Sequence, residues 1–249
     1  MNATPPARTM HDLLLALLAL ALLLGWDASG LDLAVSRLVA GPHGFPLRDA
    51  WFTRVLLHEG GRLFGWLVLA LLVVNVWRPL IAGPTRAERA GWLLVTLACM
   101  IAVPALKRVS ATSCPWDLAE FGGVAMYVSH WQFGVSDGGP GHCFPSGHAV
   151  SAFGFLAGWF ALRRHRPPLA RLWLIAVMTL GIACGATQLV RGAHYASHTL
   201  WTAWLCWTLC AIAYTLMPAA VASAQGQGRG EPASGTRLGG LRPTRSDLA

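Results

Sequence analysis

Charge is what this chain has least of. Only 12% of its 249 residues are charged, about half of what a soluble domain of this length carries. Lysine is nearly absent: Lys107 is the only one among nineteen basic residues. Short segments of strictly alternating apolar and polar residues are missing, which argues against a transmembrane β-barrel. The sequence has no internal repeat. It also lacks a tight set of histidines with cysteines or carboxylates at metal-ligand spacing, so no metal and no other cofactor is expected. The basic residues are scattered over loops, so the net charge of +8 does not imply a nucleic-acid partner.

What the chain has is apolar residue in blocks. Hydrophobic residues make up 55%, tryptophan occurs twelve times, and the mean hydropathy is +0.50. Six blocks stand out, at 13–26, 63–77, 91–106, 149–162, 172–190 and 200–217. Several are shorter than the ~20 residues a spanning helix needs, so their flanks must extend them. The expectation is an all-α, polytopic membrane protein: a six-helix bundle over 1–217, followed by a disordered tail at 218–249 that is rich in Ala, Gly, Ser, Pro and Arg. The first block has the length of a signal-peptide core. No small-residue cleavage site follows Leu24-Gly25-Trp26, so it is read as an uncleaved helix. One or two short surface helices are expected in 27–61.

Arginine placement sets the orientation. With the N-terminus inside, inner segments hold Arg8, Arg78, Arg86, Arg89, Arg163, Arg164, Arg166, Arg171, Arg229, Arg237, Arg242 and Arg245, twelve in all, against seven basic residues outside. Both termini are then cytoplasmic. The loop RRHRPPLAR at 163–171 is the strongest anchor. The tryptophans read as interface belts and packing.

The outer segments collect the reactive side chains. Lys107 ends the third block and is followed by RVSATSCPWDL. CFPSGH, Cys143 to His148, opens the fourth. The fifth ends in QLVRGAHYASH, Gln188 to His198. Three helix ends thus bring Lys107, Ser146, Gly147, His148, Arg191, His194 and His198 to one depth. A helix N-terminus offers unpaired N–H groups and favours an anion. Ser146 is read as its N-cap, and Gly147 lets a ligand approach the backbone. Lys107 and Arg191 add positive charge, and two histidines can serve as nucleophile and acid–base. Phosphate suits this set. His58-Glu59, on the outer side, reads as loop punctuation, with substrate contact as the alternative; His130 and His142 read as loop residues.

PSGH followed by GAHYxS resembles the type 2 phosphatidic acid phosphatase and vanadium haloperoxidase superfamily, over roughly 107–204. Its membrane members have six helices and an outward-facing site. The second family motif is intact at Pro145–His148, and the nucleophile of the third falls on His194. The first-motif arginine is replaced by Cys114-Pro115, the third-motif arginine by Gln188 and its aspartate by His198. Arg191 is read as standing in for the lost arginine. Gln188, Arg191, His194 and His198 recur at three or four and would share one helix face. His198, by accepting a hydrogen bond from His194, or Asp117, by supplying a carboxylate, would orient the nucleophile. Bacterial members with Cys-Pro-Trp upstream and His-Tyr/Phe-x-Ser-His downstream look similar to this chain.

The resemblance implies a lipid phosphatase of the bacterial inner membrane with its site facing the periplasm. His194 would attack phosphorus and His148 would protonate the leaving oxygen. Lys107, Ser146, Gly147 and Arg191 would hold the phosphoryl group. The partners would be an amphiphilic lipid phosphate and the bilayer, with the oligomeric state left open. A phosphotransferase between lipids and a non-catalytic binder of anionic headgroups are the alternatives. Cys99, Cys184, Cys206 and Cys210 lie in apolar blocks and read as core. Cys114 and Cys143 lie beside the first and second motifs, in a compartment that favours disulfides, and are expected to pair.

Overall fold

The computed structural model describes residues 5–132 and 134–227. Among them there is no strand, only the isolated bridges Gly41–Gly44 and Leu118–Ala125. The helices are α1 (Pro5–Ala28), α2 (Leu31–Val39), a π-helical segment (Phe52–Glu59) running into α3 (Gly60–Trp77), α4 (Arg86–Val109), α5 (Val150–Phe153), α6 (Ala157–Leu162), α7 (Pro167–Val190) and α8 (Ala196–Gln227). Among the described residues, five stretches are long and apolar enough to cross a membrane, at Thr9–Ala28, Phe52–Trp77, Arg86–Val109, Pro167–Val190 and Ala196–Met217. The shorter apolar Val150–Leu162 accounts for the sixth block. It is not one helix: a 3₁₀ turn at Gly154–Leu156 separates α5 from α6.

Two expectations about boundaries change. The second span begins at Phe52 rather than near 63, because the π segment joins α3 without a break. Contacts divide the chain into Met1–Thr215 and Leu216–Ala249. In the second unit α8 runs on through Gln227, ten residues into the expected tail, and 228–249 lie outside the described residues.

Local chemistry sets the helix ends. Thr85 and Glu88 form a reciprocal capping box at the start of α4. Pro167 opens α7 at its first turn, where no N–H is needed. α7 closes in a Schellman motif: the Gly192 N–H bonds Leu189 O at 2.9 Å and the Ala193 N–H bonds Gln188 O at 2.9 Å, with Gly192 at φ +70°. This turn reverses the chain between Arg191 and His194.

Apolar side chains gain little by leaving lipid for one another, so close backbone approach holds such bundles together. A Cβ on Gly65 would stand 3.0 Å from the Ser151 carbonyl, and one on Gly181 would enter the Phe153 ring. α3 and α7 can therefore press directly on α5. Trp92, Cys99 and Val103 of α4 and Cys206 and Cys210 of α8 are fully buried. Away from the site, Arg163 pairs with Asp12 at 2.7 Å and His165 with Glu88 at 3.0 Å. The first of these leaves the buried Asp12 compensated.

Candidate active site

The site is assembled at the end of the bundle where α4 and α7 finish, α5 and α8 start, and the π segment meets α3. Lys107 lies in the last turn of α4. Its ammonium is 3.9 Å, and its Cδ 3.5 Å, from where a Gly147 Cβ would be, so the bare glycine lets the lysine lie along the Pro145–His148 turn. Ser146 is fully buried and its hydroxyl has no hydrogen-bond partner. It does not cap a helix, as the sequence suggests: the N-cap position of α5 belongs to Ala149. Nor is its backbone N–H free for an anion, because it bonds the His198 carbonyl at 3.1 Å.

Cys114 and Cys143 are joined in a disulfide with their Cα atoms 5.2 Å apart. The bridge fixes the CPWD turn against the CFPSGH turn. Asp117 does not reach the nucleophile position; its carboxylate accepts the Cys114 N–H at 3.2 Å and so caps the CPWD turn. Burial raises the Asp117 pKa, and the Cys114 hydrogen bond works against that rise.

His194 and His198 do not share a helix face with Gln188 and Arg191, because the Schellman turn at Gly192 separates α7 from α8. The turn nevertheless brings all four together. Arg191 Nη1 donates to Gln188 Oε1 at 3.4 Å and Arg191 Nε to the Arg48 carbonyl at 2.9 Å. Two of the five guanidinium N–H groups are thus spent on the scaffold, and the side chain is 7% exposed. His194 Nδ1 lies 3.5 Å from His198 Nδ1 and 3.5 Å from Cys143 Sγ, and His198 Nδ1 reaches the Cys143 carbonyl at 3.0 Å. A carbonyl only accepts, so His198 Nδ1 carries a proton and cannot also accept one from His194. His194 Nδ1 therefore stands beside a donor on His198 and not the acceptor that the sequence suggested, and Asp117 is engaged in its own turn.

His148 is held by a ring: its imidazole stacks on that of His58 with centroids 3.6 Å apart and planes 17° from parallel. His148 Nε2 is buried without a partner. His58 is a residue that sequence reading missed. Ninety positions separate it from His148, and the only signal was its place at the outer end of a span. Gln188 was counted as a loss; its Nε2 is a buried donor with no partner among the described residues.

Burial, then the positive charges around it, pushes His148 down to about 4. Complete burial, then Lys107, holds His194 well below the ordinary histidine value. Both are neutral at pH 7. For a histidine whose folded pKa lies below its unfolded value of 6.5, the unfolded chain binds more protons between the two. Stability conferred by the neutral state is therefore complete above pH 6.5 and lost as pH falls toward 4. Thermal melts in detergent should show a lower midpoint at pH 5 than at pH 7.5. His148→Gln should flatten that slope; an unchanged slope would mean that His148 titrates normally.

Other side chains brace the site. Asp32 accepts the Ser197 N–H at 2.9 Å, and also its hydroxyl, capping α8 from a distance. Asp27 holds His130, Trp131 and Trp201, and His130 stacks on Phe144 with centroids 4.2 Å apart. The ligand atoms of Cys114, Cys143 and His194 lie within 4.8 Å of one another, but both sulfurs are committed to the disulfide and offer no thiolate.

The family model described as the PAP2 superfamily matches residues 89–222, more than half of the chain. A comparison with curated proteins finds no match. Among solved structures, the chain is similar to the one titled as the first transmembrane PAP2 type phosphatidylglycerolphosphate phosphatase from Bacillus subtilis. The match has 18% identity and a TM-score of 0.52, covering 86% of this chain and 96% of that one. With its spans and its site at their ends, the chain belongs to the PAP2 superfamily, and at the level of that family it is a multi-pass membrane phosphatase.

Proposed function

We propose that this protein removes phosphate from an amphiphilic lipid phosphate through a phosphohistidine on His194. The observation that carries the reading is a set of buried, unpartnered polar atoms at this end of the bundle, Ser146 Oγ, His148 Nε2 and Gln188 Nε2, with the Lys107 ammonium against the Gly147 backbone. Buried polar groups are normally satisfied, so a site that leaves several open suits a ligand with many acceptor oxygens.

In this reading Lys107, Arg191, Ser146 and Gln188 hold the phosphoryl oxygens, with the backbone at Gly147 close by. They favour the charge that builds as the leaving oxygen departs. His194, neutral and with Nδ1 against His198 and the Cys143 sulfur, presents Nε2 to phosphorus. The bond from phosphorus to the leaving oxygen breaks as the N–P bond forms. His148 gives that oxygen a proton, then takes one from the water that attacks the phosphohistidine. His148 is neutral in the free enzyme, so it must gain its proton when the anionic substrate arrives and raises its pKa. Candidate substrates are phosphatidate, phosphatidylglycerophosphate, polyprenyl diphosphate and lipid A phosphates.

The protein would sit in the bacterial inner membrane with cytoplasmic termini and a periplasmic site. The arginine-rich inner loops support this, as does the Cys114–Cys143 bridge, which needs an oxidising compartment. The test is release of inorganic phosphate from these four lipids by purified protein in detergent micelles. Release from at least one is expected. Phosphate found on an acceptor lipid and not in solution would make the protein a transferase; tight binding with no turnover would make it a headgroup receptor.

A further inference from the structure

The π-helical segment Phe52–Glu59 ends by placing His58 face to face with His148. We infer that His58 is a positioning residue for the reaction: its ring holds the His148 imidazole flat and leaves Nε2 open for the proton. The inference rests on the reading of His148 as proton donor and base.

Three observations carry it. The first is the stack itself, with centroids 3.6 Å apart and planes within 17°. An imidazole held by one hydrogen bond can still swing about its second side-chain torsion, which is broad for histidine. A parallel ring at contact distance removes that freedom. The second is that the pair is left open: His58 Nδ1 and His148 Nε2 are both buried without partners, so neither ring is held by a further side chain through those atoms. The third is the backbone. π-winding is rare and concentrates at functional sites; here the Gly60 N–H returns to the Val55 carbonyl, and the wider turn immediately precedes Gly60.

The charged and titratable groups around the pair come from every neighbouring element. Glu59 and Arg62 follow His58 in its own helix, Lys107 comes from α4, and Arg191 and His194 from the turn after α7. Of these, only Glu59 is acidic.

The test compares a poor and a good leaving group. Turnover is measured on phosphatidate and on p-nitrophenyl phosphate for the wild type, His58→Ala, His58→Phe, His148→Ala and the His58→Ala/His148→Ala double variant. General acid catalysis contributes about 10²–10⁴-fold and matters least for a good leaving group. His58→Ala should lower kcat on phosphatidate by roughly 30-fold, and on p-nitrophenyl phosphate by less than about threefold, with KM unchanged. His58→Phe, which keeps a flat ring, should recover most of the loss. The double variant should be no worse than His148→Ala alone, because the two act as a unit. If His58→Ala fails to fold, His58→Leu, similar in bulk but without a flat face, carries the same comparison. Equal losses on both substrates, additive losses in the double variant, or no loss would overturn the role of His58. Absence of turnover in the wild type would overturn the phosphatase reading, and the role of His58 with it.

Discussion

His194→Ala should lower phosphate release by on the order of 10⁴-fold or more, the scale on which removal of a covalent nucleophile acts. The reason is geometric. His198, 3.5 Å away, is as buried but has its Nδ1 on the Cys143 carbonyl and lies inside α8, and His148 is held in its stack on His58. The fold should survive, since His194 lies in the turn between α7 and α8 and a buried neutral side chain there contributes a few kcal/mol at most. Two readouts separate chemistry from folding. Wild-type protein quenched in alkali after exposure to labelled substrate should carry acid-labile phosphate, and His194→Ala should carry none. His148→Ala should retain the label, because its deficit lies in leaving-group protonation and water activation. A His194→Ala enzyme with wild-type turnover would remove the mechanism.

Loss of the Cys114–Cys143 bridge is expected to have the second-largest effect, on stability and activity together. The bridge closes a loop of 29 residues in sequence separation, which the chain-entropy estimate values at about 3–4 kcal/mol. In a protein of this size that corresponds to roughly 10 °C in melting temperature. Activity should fall further than stability alone accounts for. The Cys143 carbonyl holds His198 Nδ1 at 3.0 Å and the Cys143 sulfur lies 3.5 Å from His194 Nδ1, while the Cys143 N–H is pinned to the Thr112 carbonyl at 2.9 Å. Loosening Cys143 therefore frees the ring of the nucleophile. Melting temperature and turnover of Cys114→Ser/Cys143→Ser, assayed well below its melting point, should both drop. Alkylation of the wild type without prior reduction should leave both cysteines unmodified. Unchanged kinetics in the double serine variant would show that the carbonyl holds its place without the bridge.

Much of this was legible in the sequence, because it is local. Apolar blocks separated by arginine-rich loops specify membrane spans whatever their partners, since the bilayer acts as the solvent for each one separately. The Arg-Gly pair at 191–192 writes its own helix end, and Thr85 with Glu88 writes a helix start. PSGH and RGAH at neighbouring span ends are enough to name Lys107, His148, Arg191 and His194 as residues of one end of the bundle.

What the sequence could not decide is which polar group satisfies which. Ser146 looks like a cap and is instead a buried hydroxyl, because its N–H is taken by the His198 carbonyl from another helix. Asp117 and His198 both look like orienting groups, yet one closes its own turn and the other donates to the Cys143 carbonyl. His58 looks like loop punctuation because nothing in its own segment shows that His148 will lie against it. The Ser146, His198 and His58 outcomes depend on groups far apart in sequence. A carbonyl has no residue type, so no sequence pattern marks it. The sequence determines the spans, their ends and the reactive residues gathered there; only the packing of those ends decides that the Cys143 carbonyl takes the His198 ring and that His58 stacks on His148.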